Sequence, residues 1–203
     1  MRPSMGLMLP EEKLEEIYNM ISDEVASGRD MLISTQRLLC RIMDLTTGQE
    51  EVKPVDIDIN ENETIVISCD ASIKVNPGGP AAIGAVIRIP EGDVLKIGKF
   101  TPATTNNEAE YDAIYEGLLA LVNLHNRPKF PIVIRSDSQL VVKQLLGEYK
   151  VTDERMKRKC ESIHELAAAI QVPVQLDWRP RNSTPDLTEA NFLAQDVLGV
   201  RRH

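Results

Sequence analysis

From Thr64 onward the chain alternates short apolar runs with turn-rich breaks. TIVISC (64–69) is a β-branched run, KVNPGGP (74–80) is a turn, and AAIGAVIRI (81–89) is a second strand. Glu91-Gly92-Asp93 marks another turn, and VLKIGKF (94–100) alternates as a third strand. Short turns between three strands predict an antiparallel meander. The period then changes. TTNNEAEYDAIYEGLLALVNLH (104–125) predicts a long helix, with Asn106 or Asn107 as its N-cap. FPIVIRSD (130–137) reads as a buried strand, SQLVVKQLLG (138–147) as a helix ending at Gly147, and DERMKRKCESIHELAAAI (153–170) as a further helix. VPVQLDW (172–178) is a fifth strand and DLTEANFLAQD (186–196) a last helix. The order βββαβααβα, with strands four and five in βα units, predicts an α/β domain. Its sheet is mixed and five-stranded, three antiparallel strands followed by two parallel ones, and helices flank it.

Upstream the pattern is different. Residues 10–26 place Leu14, Ile17, Tyr18, Ile21 and Val25 at helical spacing, Ser27-Gly28 breaks the run, and residues 30–45 carry a second apolar stripe through Leu38, Leu39 and Ile42. These read as an αα-hairpin with one apolar seam. The expected division is a helical extension over 1–55, a linker over 56–63 and the α/β domain over 64–203. Charge separates the parts as well. The formal net charge is −8, and residues 1–61 hold 6 Lys/Arg and 13 Asp/Glu, hence −7, whereas residues 62–203 hold 17 and 18, hence −1. The acidity is the extension's, so it does not exclude nucleic acid as a partner of the larger domain. No apolar run approaches the ~18 residues of a membrane span, and no signal-peptide pattern opens the chain. The expectation is a cytoplasmic protein with no membrane partner. Three widely spaced cysteines, Cys40, Cys69 and Cys160, suit a reducing compartment better than a disulfide framework or zinc site.

The acids of the larger domain fall at informative places. Asp70 follows the apolar run TIVISC, and an acid beside a core is costly unless solvated, paired or metal-bound. Asp137 repeats the arrangement after PIVI, where the plain alternative is an N-cap for the next helix. Glu110 and its neighbour Glu108 lie in the first turns of the long helix, and surface acids favoured by the helix dipole are the plain reading for both. Two strand-end acids and one near a helix start have the placement to converge at one end of a sheet. Clustered carboxylates favour hard divalent cations, and Mg²⁺ takes a few carboxylates together with water and phosphate oxygens.

CDASIKVNPGGPAAIGAVI, TTNNEAEYDAI, RSDSQLVVKQL and GEYKV resemble, in order, the successive motifs of the ribonuclease HI family within the ribonuclease H-like fold. The likeness runs over about residues 64–198. It implies Mg²⁺- or Mn²⁺-dependent endonucleolytic cleavage of the RNA strand of an RNA–DNA hybrid, with two ions when substrate is bound. Position by position, it implies Asp70, Glu110 and Asp137 as catalytic metal ligands and selects Glu110 over Glu108, which becomes a solvated bystander. Asn76, Pro77 and Gly78 match a turn that approaches ribose 2′-hydroxyls, the group that distinguishes RNA from DNA. Asn106, Asn107 and Gln139 match positions that touch the minor groove, and Thr104 and Thr105 match positions near a DNA-strand phosphate.

The sequence departs from that pattern twice. GEYKVTDERMKRK passes directly into a helix, as in family members without the inserted basic handle. Lys150, Arg155, Lys157, Arg158 and Lys159 leave a local basic group there, either a solvated face or a phosphate contact. At the end of the chain, Glu189-Ala190-Asn191-Phe192-Leu193-Ala194 aligns with the family's Ala-Asp-x-Leu-Ala segment, so Asn191 stands in place of the fourth acid and is expected, by its amide oxygen, as the fourth catalytic metal ligand. Asp186 and Glu189 are the nearby acids to consider as substitutes. The preceding loop is a few residues longer than in handle-less relatives, and Arg181 within it takes a substrate- or product-facing role. Three functions are in contention: an active ribonuclease H, a weak or inactive module that binds nucleic acid, and a protein-interaction module. The last would act through the N-terminal hairpin, whose seam offers self-association or a protein partner.

Overall fold

A computed structural model of the chain describes residues 60, 62–90, 92, 94–124, 128–170 and 172–200, and Asn19 besides. The expected hairpin over 1–55, and most of the linker, lie outside the described residues. The described elements run β1 (Ile65–Ile73), β2 (Ala81–Arg88), β3 (Val94–Thr101), α1 (Asn106–Leu124), β4 (Ile132–Ser136), α2 (Gln139–Leu145), α3 (Glu154–Ala169), β5 (Val174–Trp178) and α4 (Pro185–Val197). This is the predicted βββαβααβα order. The strands form one sheet in the order β3-β2-β1-β4-β5. Pairing is antiparallel for β1–β2 and β2–β3 and parallel for β1–β4 and β4–β5.

Period-2 alternation sorts the sheet into two faces. On one, Ile65, Ile67, Cys69 and Ala71 of β1 join Ile83, Ala85 and Ile87 of β2 and Ile132 and Ile134 of β4 in the core. Tyr111, Ile114, Leu118 and Leu121 cover them from α1, all fully buried. Removing each such side chain from water contributes roughly 1.5–3 kcal/mol before chain entropy is charged against it.

On the opposite face α4 lies directly on the strands. An ideal Cβ at Gly84 would stand 1.9 Å from the Ala190 carbonyl oxygen, so only glycine admits the helix at this depth. Gly84 is the register partner of Asp70, which fixes the level at which α4 crosses the sheet. Thr184 caps α4 by accepting from the Leu187 amide at 3.2 Å, with Pro185 opening the helix.

The structure corrects three local expectations. Strand β1 does not stop before Asp70 but runs on to Ile73, because β2 continues to pair with it as far as Ala81. Asp70 therefore projects from within a strand. Ser138, not Asp137, holds the N-cap position of α2, which leaves Asp137 free of helix capping. Helix α1 begins at Asn106, so neither asparagine caps it. Thr105 does, accepting from the Glu108 amide at 3.2 Å while Glu108 Oε2 accepts from the Thr105 amide at 3.1 Å. That reciprocal pair is a capping box.

Candidate active site

Asp70, Glu110 and Asp137 come from three separate elements and converge. Each offers a carboxylate oxygen, and these oxygens lie within 4.8 Å of one another. Parallel pairing of β1 with β4 brings the two aspartates to one end of the sheet, and the first turns of α1 pack Glu110 above them. Asp70 and Glu110 are each only 2 % exposed. Asp70 Oδ1 accepts from the Ala71 amide at 2.7 Å, and Glu110 Oε1 accepts from Asn106 Nδ2 at 3.2 Å. The second oxygen of Glu110, Oε2, is buried without a hydrogen-bond partner. A buried carboxylate oxygen left in that state is costly unless something else completes it.

The electrostatics follow from this crowding. Burial, then the neighbouring Asp137, push the Asp70 carboxyl up to about 7, against the smaller opposing pull of Arg181 and the Ala71 amide. Burial and then Asp70 likewise hold Glu110 well above the usual carboxylate range. Arg181 supplies positive charge from the loop between β5 and α4. Its Nε donates to Asp137 Oδ2 at 2.6 Å, and a terminal nitrogen sits 3.8 Å from Asp70 Oδ1.

The remaining predicted positions fall on two rims that touch these acids. On one rim Gly78 N donates to the Thr104 carbonyl at 2.8 Å, and Asn106 N donates to Asn76 Oδ1 at 3.3 Å. The turn Asn76-Pro77-Gly78 is thus tied to the start of α1 and, through the Asn106 side chain, to Glu110. The turn itself is exposed, and Asn107 is exposed in the first turn of α1. On the other rim exposed Gln139 opens α2, its amide donating to the Asp137 carbonyl at 3.1 Å. Trp178 Nε1 donates to the same carbonyl at 3.2 Å.

Asn191 sits at the middle of α4, next to the Ala190 that rests on Gly84. Its Oδ1 accepts from Gln195 Nε2 at 2.8 Å, one turn further along. Neither proposed substitute for a fourth acid is at liberty. Asp186 takes both Arg88 Nε (3.0 Å) and its terminal nitrogen (2.7 Å), and Glu189 takes Lys96 Nζ at 2.9 Å. Both are neutralised by β2 and β3.

Glu108 is the clearest departure from expectation. It is not a solvated bystander but 4 % exposed. One oxygen accepts from the Thr104 amide (2.7 Å), the Thr104 hydroxyl (2.5 Å) and the Thr105 amide, and the other pairs with Arg155 at 3.0 Å. Those bonds hold its carboxyl below the usual range despite burial, the opposite of Glu110. The signal was present in the sequence as Thr105-x-x-Glu108, the capping-box spacing, in TTNNEAE. The basic group on α3 is largely spent internally too: Arg155 pairs with Glu108 and Asp153, Lys157 with Glu154, and Lys159 with Asp112.

Comparison with known proteins bears on the family and the fold. A family model described as reverse transcriptase-like matches residues 68–195. The chain is 39 % identical over 131 residues to a ribonuclease HI of Halobacterium salinarum, a match covering 64 % of this chain and 61 % of that one. The crystal structure of ribonuclease H1 from Halobacterium salinarum NRC-1 superposes with a TM-score of 0.60 at 31 % identity, covering 68 % of this chain and 99 % of that one. The chain belongs to the ribonuclease HI family. A second family structure, LC11-RNase H1 in complex with an RNA/DNA hybrid, matches with a TM-score of 0.58 at 29 % identity, over 66 % of this chain and 99 % of that one. The chain thus spans about three fifths of the Halobacterium relative it matches in sequence.

Proposed function

We propose that this protein hydrolyses the RNA strand of RNA–DNA hybrids with the help of divalent metal, leaving 5′-phosphate and 3′-hydroxyl ends. The observation that carries this reading is the carboxylate triad with one buried oxygen, Glu110 Oε2, lacking a partner. Three clustered carboxylates, one with a buried oxygen that no protein donor reaches, fit a hard cation such as Mg²⁺ or Mn²⁺. Asp70, Glu110 and Asp137 are the residues that would hold it. When bound, such an ion supplies an activated water and a stabilised leaving oxygen for phosphodiester hydrolysis.

The chain's own groups do the rest. The exposed turn Asn76-Pro77-Gly78, braced against Thr104 and Asn106, offers a small backbone surface for close approach to ribose hydroxyls. Asn107, Gln139 and Thr105 surround the same opening and orient the hybrid. Buried walls of β1 and α1 keep bulk water from Asp70 and Glu110. LC11-RNase H1 is a relative solved with an RNA/DNA hybrid, and this supports the substrate class.

Asn191 lowers the negative charge of the site by one relative to the family's fourth acid, and Asp186 and Glu189 are held by cations elsewhere. A second ion should then be held more weakly, an effect that the dependence of cleavage on metal concentration would report. The test is cleavage of a labelled hybrid in each metal by wild type and Asp70→Asn. Equal inertness of both proteins in both metals would leave a nucleic-acid-binding module as the reading that stands.

A further inference from the structure

Arg181 is placed oddly for a side chain that only meets substrate. Its guanidinium reaches back into the carboxylate group, 2.6 Å from Asp137 Oδ2 and 3.8 Å from Asp70 Oδ1. The side chain is nevertheless 59 % exposed and sits in a turn, with Asn182 following in the left-handed region at φ 58° and Ser183 N closing on the Pro180 carbonyl. A guanidinium so exposed can leave a carboxylate without stranding a buried charge, because water replaces part of what it gives up. A divalent ion sits about 2 Å from each oxygen it takes. Placed on these aspartates, it would stand within a few ångströms of Arg181, and the two cations would repel with little water between them.

We infer that Arg181 is a resident competitor for the divalent ion. It neutralises the Asp70–Asp137 pair in the metal-free protein and withdraws before an ion occupies those oxygens, thereby setting the metal concentration at which the site fills. The inference rests on the reading of the triad as a metal site, and deepens it. Arg181 is on this account a positioning and gating residue whose effect is felt before any hybrid binds. Its neighbour Arg179 is the natural control. Arg179 Nε donates to Asp177 Oδ2 at 2.9 Å, on a carboxylate also held by Arg135 and outside the triad.

The test is binding of Mn²⁺ alone to the full chain, read by electron paramagnetic resonance of the free ion with no nucleic acid present. Arg181→Ala is expected to bind about tenfold more tightly than wild type, the size of one removed like charge at this range. Arg181→Lys should stay within a few-fold of wild type, and Arg179→Ala should not differ from it. A second readout separates competition from ordinary structural support. In chelator Arg181→Ala should melt below wild type, and in saturating Mn²⁺ that deficit should vanish, because the ion has displaced the arginine in wild type as well. Unchanged or weaker Mn²⁺ binding by Arg181→Ala, with binding still lost in Asp70→Asn, overturns the competitor and leaves the metal site standing. Absence of binding in every variant overturns both.

Discussion

Two groups of carboxylates in this domain meet opposite fates. Asp186 and Glu189, on α4, each find a basic partner on β2 or β3 that offsets their charge. Asp70, Glu110 and Asp137 have been brought within 4.8 Å of one another with one exposed arginine facing them and one oxygen unsatisfied. Glu108 and Glu110 repeat the contrast two residues apart on one helix. Both are buried, yet donors surround the first and hold its carboxyl below the usual range, whereas burial and then the neighbouring carboxylates raise the second. Burial alone therefore identifies no function. What marks the triad is burial with incomplete compensation, one arginine for three carboxyl groups, the condition a bound cation would relieve.

The largest expected effect comes from breaking the triad. Glu110→Gln should lower hybrid cleavage by roughly a hundred- to a thousandfold, given what one transition-state stabilising group contributes. The paired change Glu108→Ala should leave the cleavage rate nearly intact. It should instead cost about 2 kcal/mol of stability in urea unfolding, since it strips the buried Thr104 and Thr105 donors of a charged acceptor. If Glu108→Ala abolished cleavage in folded protein, the assignment of the two glutamates would be reversed.

Asn191→Asp tests the fourth position, and roughly tenfold faster cleavage at limiting Mg²⁺ is expected from one added carboxylate. No change would mean that α4 does not reach the metal. Proton linkage is a subtler probe. The folded-state value of Asp70, about 7, lies above its ordinary 3.8, so the native state resists ionisation that the unfolded chain accepts freely. Metal-free wild type should lose stability as pH rises from about 4 to 7. Asp70→Asn should escape that loss, its advantage in chemical denaturation growing across that window and levelling off above it. Parallel stability curves for the two proteins would refute the raised value. The smallest effect belongs to the compensated group: Arg88→Ala should cost about 0.5 kcal/mol, as exposed ion pairs do, and leave cleavage unchanged.

Much of this was legible in the chain. Period-2 runs and the TTNN helix start gave nine elements in their correct order, because local apolar patterning is what the sheet and helices bury. Asp70, Glu110 and Asp137 were readable from their places in three ordered motifs. The role of Glu108 was legible as well, in a threonine three residues before it, although helix-dipole reasoning pointed to the surface. Other facts had no local signature. No spacing rule ties Asp186 to Arg88 or Glu189 to Lys96, almost a hundred residues apart in sequence, and none places Arg181 on Asp137. Gly84 looked like any glycine in a strand until α4 was seen to rest on it.

The sequence by itself determined which residues could be walls of the site, since residue type and periodicity are properties of the chain. The tertiary structure decided which carboxylates remain without compensation, because the charge that a neighbour supplies depends on distances that only packing sets. By neutralising Asp186 and Glu189 from the adjacent strands while crowding three others around Arg181, the fold leaves, among the described residues, one carboxylate cluster that a lone arginine offsets only in part.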